Sequence, residues 1–294
     1  MVISIGHNKN KEKLTKIVHS GSIGHAYLFI GKESIGKKIV AIEFAKNILC
    51  DSPKEGKNCG RCTSCLAFEN SSDFKMISPV KDVIKVDTIR EICNELFLMP
   101  TISSRKVFII DDAHTMNEQA QNALLKVLEE PPVYATIILI TSNKEKLLNT
   151  IKSRVIEIPF DSLTKEEIKT ILEKQGKEVS KEALEFSNGA VKKTIEYIED
   201  ETFKIAKDLS ESLLERDFLK INRKFEDIKA DKNLKVNIPS ILEKVMYIYY
   251  SKLKQDVTFD IKQIEALEKT IQNIKRNANV DLSLDAFMID ICKI

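Results

Sequence analysis

The chain has 294 residues, 43% of them hydrophobic and 31% charged, with 9 Gly, 7 Pro and 6 Cys. That mixture excludes a disordered chain, a collagen-like repeat and a disulfide mini-protein, and a length beyond the ~250 residues at which single cores stop growing predicts two or three domains. Its 46 basic residues nearly balance 44 acidic ones for a net charge of +2, so charge alone neither demands nor forbids nucleic acid, for which only a local patch would matter.

Few glycines and abundant Lys, Glu, Leu and Ile favour helix. In the first 160 residues short apolar runs alternate with helical stretches, and the runs at 27–30, 74–77, 107–110, 136–140 and 155–158 are predicted strands. They are apolar without alternation, as strands covered on both faces should be. A helix is expected from Glu118 to Glu130, stopped by Pro131 and Pro132. Strands separated by helices at this spacing predict an α/β module with a parallel, doubly wound, five-stranded sheet over residues 1–160.

After Pro159 the texture changes. Thr164-Lys-Glu-Glu167 has the form of a capping box and opens a helix, and residues 161–200 read as a small helical domain with Asn188-Gly189 as an internal turn. The acidic stretch 199–201 suits a domain boundary. Apolar residues at helical spacing (Leu209, Leu213, Phe218, Ile221; then Ile241, Leu242, Val245, Met246, Ile248, Tyr249) predict an all-helical third domain over 201–294. Apolar runs such as 137–140 fall far short of the ~20 residues of a membrane span, and the start turns polar too soon for a signal peptide, so a cytoplasmic protein without membrane contact is expected.

Directly after the first predicted strand comes Gly31-Lys-Glu-Ser-Ile-Gly36-Lys37-Lys38, then an apolar helix. This is the phosphate-loop pattern G-x-x-x-x-G-K-[ST] in its strand–loop–helix context, except at the last position. A hydroxyl there ligates Mg²⁺; Lys38 offers no oxygen and carries positive charge. The strand 107–110 ends in Asp111-Asp112, the form of a Walker B element, with Asp112 one methylene shorter than the Glu that usually polarises the attacking water. Lys38 and Asp112 together predict a nucleotide site that does not hydrolyse ATP, and leave open whether a nucleotide still docks there passively.

Cys50, Cys59, Cys62 and Cys65 place four thiols within residues 50–65, with Asn58 and Gly60 flanking Cys59 for a tight turn. In a reducing compartment that spacing predicts tetrahedral Zn²⁺, structural because four sulfurs leave no open position. Cys93 and Cys292 lie among apolar residues and are expected to be inert core thiols.

The run His25-Ala-Tyr-Leu-Phe-Ile-Gly31, the four-cysteine insert, Ile89-Arg90-Glu91, the Walker B strand, Asn122 through Pro132 and Thr150-Ile-Lys-Ser-Arg154 occur in order. Together they resemble the AAA+ clamp-loader subunits of bacterial DNA polymerase III, strongly over about residues 1–200 and weakly to the end, where residues 279–287 look like a closing collar helix. The resemblance implies an AAA+ module, a helical lid and a helical collar that holds subunits in a pentameric ring with ATP sites between neighbours. The damaged loop, with no extension beyond this length, looks like the family's stator subunit, which assembles with tau/gamma and delta subunits and meets the sliding clamp and primed DNA in the complex. Ser153-Arg154-Val155 resembles the family's Ser-Arg-Cys motif, which implies that Arg154 is an arginine finger for a neighbour's ATP. Asn143 stands at the sensor-1 position, and Lys192 at the sensor-2 position where Arg is usual; Lys gives a point charge without the fork.

Two other readings compete. One is a working ATPase of the tau/gamma type, opposed by Lys38 and Asp112. The other is a zinc-dependent DNA binder, for which the knuckle offers only Lys54, Lys57 and Arg61.

Overall fold

The computed structural model describes residues 5–179, 183–184, 189–253 and 261–292. Asn188, half of the expected turn, lies outside them. The chain forms two compact units, residues 1–174 with 189–191, and residues 175–188 with 192–294.

In the first unit β1 (Ala26–Ile30), β2 (Phe74–Ile77), β3 (Lys106–Ile110), β4 (Ala135–Thr141) and β5 (Ile156–Pro159) make one parallel sheet in the order β2-β3-β4-β1-β5. Every residue of β3 and β4 is buried, whereas the edge strands β2 and β5 are partly exposed. Alternate side chains divide between two cores. Leu28, Phe108, Ile110, Ile137 and Leu139 pack with Ile89 and Ile92 of α4 (Val86–Leu96) and with Leu124 and Val127 of α5 (Glu118–Glu129). Tyr27, Phe29, Ile109, Ile138 and Ile140 pack with Leu14 of α1 (Asn8–His19) and with Val40, Phe44 and Ile48 of α2 (Lys37–Leu49). Burial of each such side chain is worth ~1.5–3 kcal/mol, so helix coverage of both faces explains why the strand sequences do not alternate.

Helix α5 ends one residue before the expected Glu130, whose φ −124°, ψ 65° is not helical, because Pro131 disfavours the α region for the residue before it. A short α3 (Thr63–Ala67) follows the cysteine insert, and α6 (Asn149–Lys152) precedes β5. The capping box is present at α7 (Lys165–Glu173): Thr164 Oγ1 accepts from the Glu167 N–H, and a Glu167 carboxylate oxygen from the Thr164 N–H.

The second unit is helical: α8 (Val191–Glu199, whose first residue falls in the first unit), α9 (Glu201–Leu214), α10 (Phe218–Ala230), α11 (Lys232–Leu253), α12 (Ile261–Lys275) and α13 (Val280–Cys292). Leu209, Leu213, Ile221, Phe225, Ile241, Val245, Ile248, Leu267 and Phe287 form its core. Asp200 in the acidic stretch caps α9 and pairs with Lys244. Cys292 is exposed, not in the core; Ile291 takes the inward position, and the next residue is turned ~100° away on a helix. Among the described residues no helix is long and apolar enough to cross a membrane.

Candidate functional site

Gly31, Asp111 and Ser142 follow the carboxyl ends of β1, β3 and β4, where open parallel sheets place their ligands. The loop backbone needs its small residues. A Cβ on Gly31 would meet the Phe160 carbonyl at 2.6 Å, and Gly36 sits at φ +99°, with Ser34 at +60°, a region that costs side-chain-bearing residues ~1 kcal/mol or more. Gly36 starts α2, and the His7 imidazole Nε2 donates to the Ile35 carbonyl at 2.7 Å, pinning the loop from the other side.

Lys37 is 6% exposed and donates to the carbonyls of Gly31 (2.6 Å) and Lys32 (2.5 Å). Burial pulls its pKa down, partly opposed by the charges of Asp112, Asp111 and Glu33. The Lys38 ammonium stands 3.1 Å from Asp111 Oδ2 and 3.5 Å from Ser78 Oγ. Asp112 takes a left-handed backbone at φ +47°, and burial, then the adjacent Asp111, pushes its carboxyl pKa up. Asn143 folds its side-chain oxygen onto the Glu145 N–H. It is Ser142 whose hydroxyl reaches Glu33 (3.3 Å) and His114 (3.5 Å). Lys192 belongs to the second unit, largely exposed, with its ammonium 3.8 Å from Glu196 on the same helix. Next to it in sequence, the Val191 N–H donates to the Ser34 carbonyl of the loop at 3.1 Å.

Mg²⁺ takes oxygen ligands in near-octahedral geometry. The donor set here does not fit it: the residue after Lys37 supplies no oxygen, and an ammonium already lies against the Walker-type carboxylate Asp111.

Arg154 is at the other end of the sheet, just before β5 and beside the start of β1, where His25 Nε2 donates to its carbonyl at 3.1 Å. Its guanidinium donates to the Thr150 carbonyl (2.9 Å) and Ser153 Oγ (3.2 Å) and pairs with Glu129 at 3.0 Å, with the side chain 35% exposed. From His25 to Gly31 the chain runs through β1, about 20 Å at the rise of a strand.

Helix α2 returns the chain to that same end, where Cys50, its C-cap, meets Cys59, Cys62 and Cys65 with all four sulfurs within 4.8 Å of one another. A tetrahedral Zn–S₄ site has sulfurs ~3.8 Å apart, and Cys50 and Cys62 are 3.9 Å apart, so the cluster could hold a metal ion. Backbone N–H groups of Arg61 and Cys62 bring the Cys59 pKa down to about 6, whereas burial pushes Cys65 up to about 12; a bound cation would draw all four into the thiolate form. Asn47 accepts from the Asn58 N–H, Asp51 accepts from Ser64, and Gly60 turns at φ +70°, an outer layer that orients the sulfurs. Cys93 is a buried thiol with its pKa pushed up to about 11 by burial.

Sequence reasoning gave no role to Ser78, nor to Glu33 and Glu129, which fill variable positions of the quoted runs, and within the stretch 141–143 it chose Asn143 over Ser142.

A parallel five-stranded sheet with a glycine loop after β1 and acids after β3 defines a phosphate-loop α/β module of the AAA+ kind. A crystal structure of a DNA polymerase III, gamma subunit-related protein from Thermotoga maritima shares this fold at TM-score 0.50 and 23% identity, over 96% of this chain and 98% of that one. The profile of the family described as DNA polymerase III, delta subunit matches residues 6–164, more than half of the chain, and the chain belongs to that family of clamp-loader subunits. Relatives include the DNA polymerase III subunit gamma of Buchnera aphidicola subsp. Schizaphis graminum, 35% identical over 189 residues, covering 61% of this chain and 52% of that one. The DNA polymerase III subunit delta' of Pseudomonas aeruginosa is 33% identical over 174 residues, 56% of this chain and 53% of that one. The chain spans about half, or less, of the length of the relatives it matches.

Proposed function

We propose that this chain is the stator of a DNA polymerase III clamp loader, a subunit of the delta-prime type. It does not hydrolyse ATP at its own loop and lends Arg154 to the ATP site of a neighbouring subunit. One observation carries this reading: Arg154 and the glycine loop lie at opposite ends of the same sheet. A guanidinium placed there is out of reach of its own loop and can meet a phosphate only on another subunit. Its planar fork spreads over charge developing on a transferred phosphoryl group, an effect worth ~10³ or more in rate. Glu129 and Thr150 hold the guanidinium in advance, so less side-chain freedom is lost when it docks.

The pairing of Lys38 with Asp111, and the short Asp112, support the absence of hydrolysis. Asn143 stands in the sensor-1 position of this inactive site, and Lys192 in the sensor-2 position of the sequence pattern. Cys50, Cys59, Cys62 and Cys65 hold structural Zn²⁺, with sulfur at every position and none left for water. Residues 161–200 act as the lid and 201–294 as the collar through which the chain assembles with tau/gamma and delta subunits; clamp and primed DNA are met in the assembled, cytoplasmic complex.

Reconstitution tests the proposal. Arg154→Ala should assemble into a complex of unchanged mass and metal content that loads clamps poorly, and the wild-type chain alone should turn over negligible ATP. Full clamp loading by the Arg154→Ala complex would remove the exported role. Mg²⁺-dependent hydrolysis by the chain alone, abolished by Lys37→Ala, would favour a working ATPase of the tau/gamma type.

A further inference from the structure

Helix α1 has a face that its own fold does not use. Leu14 and Val18 are buried in the core, Asn10 Nδ2 donates to the Pro159 carbonyl at 2.8 Å, and the turn at Gly56 lies against the Thr15 carbonyl, where a Cβ would come within 2.1 Å. On the outward side Lys9, Lys13 and Lys16 are exposed. At about 100° and 1.5 Å per residue they fall within about 60° of one another and span about 10 Å. Among the described residues none of the three meets a carboxylate, although Glu12, the one acid of the helix, stands within a turn of each. In the helical unit, by contrast, Lys224, Lys229, Lys235 and Lys244 are each paired. The arrangement also opposes the helix itself. Lys9 sits in the first turn, at the positive end of the helix dipole, and no acid stands in that turn; Lys9 and Lys13 repel at i,i+4. A rule of helix stability broken without compensation inside the chain points to a partner outside it.

We propose that this face of α1 is a contact for the phosphate backbone of duplex DNA. The inference rests on the reading that the chain meets primed DNA in a clamp loader, and it is independent of Arg154. Duplex DNA carries about one charge per 1.7 Å of its axis, so a row of ammonium groups on an anchored helix faces several phosphates at once. Lysines meet phosphates as point charges and read no bases, so the contact is independent of sequence. An acidic peptide fits less well. None of the exposed large apolar side chains among the described residues belongs to α1, so the face lacks the apolar anchor on which a protein interface centres.

The test is fluorescence anisotropy of a labelled DNA duplex titrated with the full chain over a range of salt. The variant carrying Lys9→Gln, Lys13→Gln and Lys16→Gln should bind about tenfold or more weaker than wild type near ~50 mM salt. Its log–log salt slope should fall by about three, one for each phosphate contact released. Lys169→Gln, which removes a lysine paired with Glu173, should leave the slope in place. Glu12→Gln removes the opposing charge and should tighten binding by about twofold or more. Lys9→Glu puts an acid in the first turn, so it should raise the melting temperature while weakening binding, which separates a lost contact from lost folding. A wild-type chain that ignores the duplex, a triple variant with the wild-type slope, or capture of poly-glutamate in place of DNA would overturn the proposal. Clamp loading by the Arg154→Ala complex reads a different residue, so failure of the stator reading shows there and failure of this one in the salt slope.

Discussion

The two ends of the parallel sheet treat their cations in opposite ways. At the carboxyl end Lys37 is turned into the loop's own carbonyls and Lys38 onto Asp111. At the amino end Arg154 is held by Glu129 and Thr150 but stays one third exposed, and the cysteine knuckle projects from the end of α2 nearby. The same chemistry, a cation suited to phosphate, is closed inward at one end and offered outward at the other. The difference teaches that one phosphate-loop sheet can carry two cation sites of opposite exposure, one spent on the protein's own carbonyls and carboxylate and one left facing solvent.

The largest way to test that contrast is at the knuckle. Cys62→Ser should drop bound metal from about one per chain to near none, since sulfur sites of this kind hold Zn²⁺ with ~10 kcal/mol or more. Elemental analysis and proteolysis of residues 50–65 check it, and the sheet core should stay protected. Acidification should weaken the metal in the same direction: the ligands must be thiolates, and protons compete with the cation for the sulfurs, so falling pH favours release.

Next in size, Arg154→Ala should slow hydrolysis at the adjacent ATP site by ~10³, or ~4 kcal/mol of barrier. Single-turnover measurement with the other sites silenced is the readout. Arg154→Lys should restore only part, because an ammonium lacks the two-pronged contact. An equal rate for Ala and Arg would erase the contrast between the two ends.

Asp73 gives the amino end a buried charge to set beside Lys37. Its carboxylate, fully buried, accepts N–H bonds from Thr101, Ile102 and Ser103 at 2.7 to 2.8 Å. Burial alone would raise its pKa, but these bonds together hold it below the ordinary value. Asp73→Asn should cost ~1.5–3 kcal/mol at neutral pH, read by hydrogen exchange of the β2 and β3 amides. Because the folded value is depressed, the contribution is complete above the unfolded value near ~3.9 and is lost as pH falls through the folded one. The gap between wild type and variant should therefore close on acidification, and a gap that widened would reverse the assignment.

The smallest effect belongs to Glu129→Ala, ~0–1 kcal/mol in stability for a largely exposed pair. Its useful readout is the hydrolysis rate at the neighbour's site, which should fall by several-fold as the guanidinium loosens.

Much of this was legible in the sequence. All five strands lie within about a residue of their expected bounds, because short apolar runs between amphipathic helices leave little choice in a doubly wound sheet. The cysteine cluster was equally plain, since four thiols in so short a segment meet in almost any fold of it. Residue chemistry showed what Lys38 cannot do, but not what it does: Asp111 is brought to it only by the strand order, which no local pattern encodes. Ser142 and Asn143 are adjacent, and strand geometry decides which one faces Glu33. Glu129 looks like any acid at a helix end, and Asp73 like any turn residue before a strand. Cys292 misled because apolar neighbours describe a helix as a whole, while burial is decided one residue at a time around its axis.

The ion pair between Lys38 and Asp111 also bears on descent. On the proposed reading of an inactive loop, a return to hydrolysis takes two changes, a hydroxyl residue for Lys38 and Glu for Asp112. The first change alone leaves Asp111 without its cation, beside Asp112 and Glu33, until a metal arrives; the second alone pushes a longer carboxylate into a site already neutralised by lysine. The pair thus works as a ratchet on that reading, because each change alone leaves one charge of the site without its partner.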